Sequence, residues 1–226
     1  MRWLALLVLP ALLLAAACNG DGDGDGSSTA TIEAGGTPGA EAFGEEGFRR
    51  FVPLLQDALD RQDVAFFRDR ALTSPVVCEA EDLEGGLGKP ECERVGQSYD
   101  GLGVGYWGEG GGDVPVEKAI GLIESLLGSV LPDASDDFGD GALRVYALNV
   151  SNERFDAIVT AIVETPEDLP GQGPQRVVLG FSWAGAEGRW MTTGFVTARE
   201  DGAADLLTPS EQVRDIFYPY WERYED

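Results

Sequence analysis

The chain has 226 residues, 40 acidic and 16 basic, for a formal charge of −24, and it contains no histidine. That charge works against nucleic acid, whose binding needs phosphates neutralised by Lys and Arg. The missing histidine removes the commonest metal ligand and every Ser-His or Cys-His nucleophile system. An apolar share of 43% is enough for a real core, so the acidity is read as a solubilising surface and not as global disorder.

The first signal along the chain is residues 1–17. Arg2 precedes an apolar run from Trp3 to Ala17 that ends in small residues before Cys18. The run is shorter than the roughly 20 residues that a spanning helix needs, and a basic start with a short apolar centre is the pattern of a secretory signal. Leu14-Ala15-Ala16-Ala17-Cys18 resembles the lipobox of bacterial lipoproteins, although Ala15 stands where that motif usually has Leu. The resemblance implies cleavage before Cys18, a diacylglycerol thioether on its sulfur and an acylated amine. Ala15-x-Ala17 also suits ordinary signal peptidase. Cysteine parity favours the lipid, because acylation of Cys18 leaves Cys78 and Cys92 as a pair with no odd thiol. The expected location is therefore the extracytoplasmic face of the cell envelope, with membrane lipid as a partner through Cys18. Each buried acyl CH₂ contributes about 0.8 kcal/mol, and more than one chain makes the anchor stable.

Residues 18–44 read as the lipidated cysteine and a Gly, Asp and Ser tether. Asp21, Asp23, Asp25 and Gly26 imitate the opening of an EF-hand loop. Ile32 occupies the twelfth position, where that loop needs a bidentate Glu, so calcium is not expected. No cofactor or metal is expected anywhere in the chain.

Residues 45–226 read as one α+β domain. Phe48, Phe51, Val52, Leu55 and Leu59 mark one face of a helix from Glu45, with Pro53 tolerable only near its first turns. Asp60 to Asp63 breaks the stripe, and Val64 to Arg70 forms a second short helix. Val76-Val77-Cys78 is strand-like. The polar loop from Cys78 to Cys92 is expected to be closed by a disulfide, a constraint of about 3 kcal/mol in an oxidising compartment. Gly96 to Gly112 is rich in glycine around Tyr106 and Trp107. It reads as an irregular hairpin whose aromatics pack on their own domain, or as a loop offering them to a ligand. Gly103-Val104-Gly105-Tyr106-Trp107-Gly108 matches GxGxxG, but no buried strand is expected to lead in and no helix to follow, so nucleotide binding is not expected.

Val116 to Val130 keeps the 3.6-residue period and is the clearest helix, ended by Pro132. Four strands follow at Ala142–Val150, Glu153–Thr165, Gln175–Ala184 and Arg189–Ala198. A turn over Gly185–Gly188 would set Trp183 opposite Trp190. A two-residue turn at Ser151-Asn152 would set Arg144 opposite Val159 and Asp156 opposite Ala147, on opposite faces, whereas a one-residue slip would unite them. Arg144, Tyr146 and Asp156 are the polar residues set deepest in apolar strand pattern. Thr208-Pro209-Ser210-Glu211 starts a short helix that runs to about Phe217, and the aromatic tail after it is expected to dock back on the domain or to present a partner surface.

This order of helices, central helix and antiparallel meander, with a strand such as Gly188-Arg189-Trp190-Met191-Thr192-Thr193-Gly194-Phe195, resembles the nuclear transport factor 2-like (cystatin-like) superfamily. The resemblance implies a curved antiparallel sheet of four or more strands wrapping a helix into a cone, with room for a pocket inside. Its catalytic members often use an Asp–His pair, which this chain cannot supply. The functional expectation is a membrane-anchored, non-catalytic binding or interaction module for an unknown small ligand or envelope protein. The candidate contacts are Tyr106, Trp107, Arg144, Tyr146, Asp156, Trp183 and Trp190. The competing class is a small cone-fold isomerase or hydrolase using Asp, Tyr and Arg groups. A filled interior would favour binding through the surface, and an inward carboxylate in a closed pocket would favour the enzyme.

Overall fold

A computed structural model describes residues 41–85, 89–107, 109–134, 143–164, 174–199 and 201–225, all of which lie in one compact unit, Gly36–Asp226. Cys18, the signal segment and the tether to residue 40 lie outside the described residues. The first helix, α1 (Glu45–Asp60), buries Phe48, Phe51, Val52, Leu55 and Leu59 along one face. Pro53, expected only near a helix start, sits inside α1 on its exposed side. The apolar stripe continues on both sides of it, and burial of that stripe outweighs the backbone bond lost at proline. Gln62 turns the corner with a φ of 51°, and the Asp63 carboxylate caps α2 (Val64–Asp69) by accepting the Phe66 amide at 3.1 Å. The third helix, α3 (Val116–Gly128), ends two residues earlier than its apolar period, where the Ser129 hydroxyl donates to the Leu126 carbonyl at 2.8 Å.

Among the described residues eight strands form one sheet: β1 (Ser74–Val77), β2 (Ser98–Tyr106), β3 (Gly110–Pro115), β4 (Leu143–Val150), β5 (Phe155–Val163), β6 (Gln175–Ala186), β7 (Arg189–Arg199) and β8 (Trp221–Arg223). Their order is β1-β2-β7-β6-β5-β4-β8, with β3 also paired to β2, and the β2–β7 contact is the parallel one. The four expected strands are β4 to β7, a meander as read; Ala142 and Thr165 lie outside the described residues. The glycine-rich stretch is not irregular. It contributes β2, a nine-residue strand that joins the meander through β7, so a strand does run into the GxGxxG stretch. Gly103 and Gly105 of that stretch lie within β2, and the element that follows it among the described residues is a strand, β3, not a helix.

The sheet carries apolar layers on both faces. On the inner face, α1, α2 and α3 pack over a cluster that includes Phe48, Phe51, Phe67, Phe181, Trp183 and Trp190. On the outer face, α4 (Asp201–Leu207), α5 (Glu211–Ile216) and the chain beyond them cover Tyr146, Ile158 and Val178 with Leu206, Leu207 and Tyr218. The aromatic tail docks back on the domain: Tyr218 is buried and β8 pairs with β4. Burial of both faces explains why β4 and β5 read as nearly continuous apolar runs.

The disulfide forms between Cys78 and Cys92, with Cα atoms 5.7 Å apart. It returns Lys89 to Glu91 along the edge of β3, where the Glu91 amide donates to the Asp113 carbonyl at 2.8 Å. A Cβ on Gly112 would lie 1.9 Å from the Lys89 carbonyl oxygen, so glycine permits that close approach. The stapled loop thus covers an edge strand that would otherwise leave unpaired backbone groups open to another chain.

Candidate functional site: a cleft on the outer face

The register places one polar row across the outer face. Asp113 lies opposite Gly103, Gly103 opposite Gly194, Gly194 opposite Ser182, Ser182 opposite Asp156, and Asp156 opposite Asn149. At the buried end of the row, Asp156 is 2% exposed and accepts three hydrogen bonds: from Asn149 Nδ2 at 2.8 Å, Ser182 Oγ at 2.8 Å and Arg154 Nε at 2.7 Å. These charge-assisted bonds are what permits a carboxylate at that depth.

Toward β3 the row opens into a cleft of about 810 Å³. Asp113 and Ser182 mark its two ends, three strand spacings apart or about 14 Å. Between them Gly103 and Gly194 contribute backbone alone. One wall is aromatic: the Trp107 ring stacks on Tyr218 at 5.7 Å and meets Phe217 edge-on at 5.3 Å, while the Arg154 guanidinium lies 5.5 Å from the centre of the Tyr218 ring. A Cβ on Gly180 would meet the Tyr218 hydroxyl oxygen at 3.4 Å, which places the phenol against the sheet at that position. Burial, and then the negative Asp156, push the Tyr218 phenol well above its ordinary range, with Arg154 acting the other way. Among the described residues no group of three or more Cys, Asp or Glu side chains converges to hold a metal ion.

Of the residues expected to contact a ligand, Trp107 lines this cleft and Asp156 lies behind its wall, while Tyr106 borders it at the end of β2 but alternates onto the inner face with Leu102 and Val104, where it lines a recess beside α3. Arg144 and Tyr146 sit elsewhere on the outer face. The Tyr146 ring has the Arg144 guanidinium at 5.6 Å and that of Arg223 at 4.5 Å, and its hydroxyl accepts from Arg223 at 2.9 Å. The pairing expected for Arg144 and Asp156 is corrected. The turn spans Ser151–Arg154, and a bulge between Val145 and Ala147 sets Arg144 opposite Thr160 and Asp156 opposite Asn149. Both side chains therefore point outward, four residues apart along β5 or about 13 Å, too far for a direct pair. The expected Trp183–Trp190 pairing is also corrected. The β6–β7 turn is only Glu187-Gly188, both at positive φ, which sets Trp183 opposite Thr192 and Trp190 opposite Gly185. Both tryptophans are buried in the inner layer and do not line the cleft.

The inner layer keeps a smaller recess of about 170 Å³ beside α3, against Leu122, Leu126 and Phe195. A depression of about 670 Å³ lies at the start of α1, where Arg49 is held between the carboxylates of Glu45 and Glu222. Arg154, Ser182 and Asn149 have no role in the sequence reading, where Tyr218 figures only as part of the aromatic tail. Asn149 carried the same signal as Asp156, a polar residue within an apolar strand, while Tyr218 joins the site only through the return of the tail.

The class defined by this architecture is a three-layer α+β protein: a mixed eight-stranded sheet between two apolar layers, with an open cleft on the outer face. No family model matches the chain, and no curated protein matches it. Among solved structures it is similar to a substituted variant of a protein named Rd1NTF2_05, with a TM-score of 0.33 and 12% identity over 66% of this chain and 94% of that one. A likeness of that size bears on neither ligand nor activity.

Proposed function

We propose that the protein is a lipid-anchored binding module at the extracytoplasmic face of the cell envelope, with a domain related to the nuclear transport factor 2-like cone, which takes its ligand in the outer-face cleft and performs no catalysis. The observation that carries this reading is the contrast between the two faces. The inner layer, where a cone would hold its substrate, is packed with Phe51, Phe67, Phe181, Trp183 and Trp190, whereas the outer face opens into a cleft with aromatic and polar walls. Concave, largely apolar sites with a few convergent polar groups are the usual form of small-ligand sites. Asp156 is committed to three donors, which weighs against the hydrolase or isomerase reading.

Two measurements test it. Mass spectrometry of the protein extracted from its host's membranes is expected to find a mature chain that begins at an acylated Cys18; an intact Met1 or a free thiol at Cys18 removes the anchor. Amide chemical-shift mapping with an aromatic fragment library is expected to move Gly103, Ser182, Thr193 and the Trp107 indole. Fragments that collect instead at Leu122 and Leu126 would return the site to the inner face.

A further inference from the structure

We infer that the outer-face cleft takes a small organic cation, an apolar or aromatic body carrying an ammonium group; this rests on the reading of the cleft as a binding site.

Gly103 marks space kept open. Glycine weakens a strand interior, so its presence there calls for a reason. At Gly194 the reason is steric: φ is +158° and a Cβ would lie 2.6 Å from the Gly103 carbonyl oxygen. At Gly111 a Cβ would lie 2.4 Å from the Val104 carbonyl oxygen. Gly103 has no such reason. Its φ is not left-handed, and a Cβ there would meet only the Thr193 carbonyl oxygen at 3.5 Å and the Gly194 Cα at 3.9 Å, both ordinary contacts. The fold would accept a side chain at this position, and what the glycine preserves is the depth of the cleft floor.

The charge left over in the cleft is negative. Arg154, the cation in its lining, is neutralised by Asp156 at 2.7 Å. Asp113, opposite Gly103 at the other end, and Asp205 on α4 have no cationic partner among the described residues; the lysines nearest in sequence to the β3 edge are engaged elsewhere, Lys118 with Glu91 and Lys89 with Glu84 and the Glu81 carbonyl. Asp205 accepts the Trp107 indole N–H at 3.3 Å, which sets a carboxylate against an aromatic ring. Phe217 lines the same cleft and is 45% exposed. Aromatic faces and carboxylates around an apolar floor are the chemistry that recognises a partly desolvated cation. The chain's charge of −24 raises the local concentration of cations further and works against anions.

The test uses the purified chain, ¹⁵N-labelled, at low ionic strength, with three probes that share one aromatic body: phenethylammonium, phenethyl alcohol and phenylacetate. Phenethylammonium is expected to shift the amides of Gly103, Thr193 and Gly194 and the Trp107 indole, and to bind about tenfold more tightly than the alcohol, with Asp113→Asn lowering that preference severalfold. Gly103→Leu is expected to abolish the shifts at an unchanged melting temperature. Thr193→Trp, at an exposed rim position, is the second plug if Gly103→Leu fails to fold. Equal binding of all three probes, or preference for phenylacetate, with loss in the plugged variants, overturns the cation class and leaves the cleft as a binding site. Shifts that persist in both plugged variants, or no shifts in the cleft with any probe, overturn the cleft reading itself.

Discussion

Asn149 ties the sheet to the tail through Asp156. Its Nδ2 donates to the Asp156 carboxylate at 2.8 Å across β4 and β5, and its Oδ1 accepts the Tyr220 amide at 2.9 Å. Asn149 is fully buried, so one amide side chain satisfies a buried carboxylate and fixes the segment that covers the outer face.

Asn149→Ala removes both bonds and leaves Asp156 short of a donor. A hydrogen bond to a buried charged group is worth about 1.5–3 kcal/mol, so urea unfolding is expected to show a loss of about 2–3 kcal/mol. Amide exchange should quicken at Tyr220 and Trp221 more than in α1. A change below 0.5 kcal/mol on the same order-of-magnitude scale, as at an ordinary surface position, would mean that the tail is held by packing alone.

Tyr218 makes stability sensitive to alkali. Its folded pKa is raised, above all by burial, so the phenol stays protonated in the folded chain after the unfolded chain has begun to ionise. This contribution is fully present below the unfolded value of about 10 and is lost as pH rises above it, at about 1.4 kcal/mol per pH unit. Tyr99 is shifted in the same direction, so the measurement is a difference: denaturation midpoints of the wild type and Tyr218→Phe compared across the alkaline range. The wild type is expected to fall more steeply, and parallel curves would place the Tyr218 hydroxyl in contact with water.

Reduction of the disulfide is expected to act on the β3 edge as well as on overall stability. The closed loop spans 14 residues, and cross-links of that size contribute about 3 kcal/mol. The Cys78→Ser, Cys92→Ser double variant should lose about that much and should exchange faster at the Glu91 amide, which donates to Asp113 in the folded protein. Light scattering should also show stronger association, because the glycine-rich edge loses its cover. A lower midpoint with no change at Glu91 would separate the staple from edge protection.

The two glycines at Gly103 and Gly111 should answer differently to alanine. Gly103→Ala is expected to be neutral or stabilising by up to about 0.5 kcal/mol, since a strand residue with less unfolded-state freedom replaces glycine without a clash. Gly111→Ala drives a methyl into the Val104 carbonyl oxygen and is expected to cost about 2 kcal/mol or more. Thermal melts of the two variants measure this directly, and equal losses would contradict the account of the cleft floor.

What the sequence by itself determined is local. The stripe from Phe48 to Leu59, the Asp63 break, the period through Ile120 and Leu127, the meander from β4 to β7 and the Cys78–Cys92 pair all follow from short-range patterns, because hydrophobic period and turn chemistry are written into neighbouring residues. Only the tertiary structure decided the register and the second apolar face. The bulge at Tyr146 and the two-residue turn at Glu187-Gly188 each reassign cross-strand partners, and neither shift is fixed by composition. The parallel seat of β2 on β7 is a contact between segments far apart in sequence, and it turns a row of glycines from a loop into a strand. The return of Tyr218 over Asp156 likewise depends on the whole chain having folded, and the cleft exists only where these three long-range events meet.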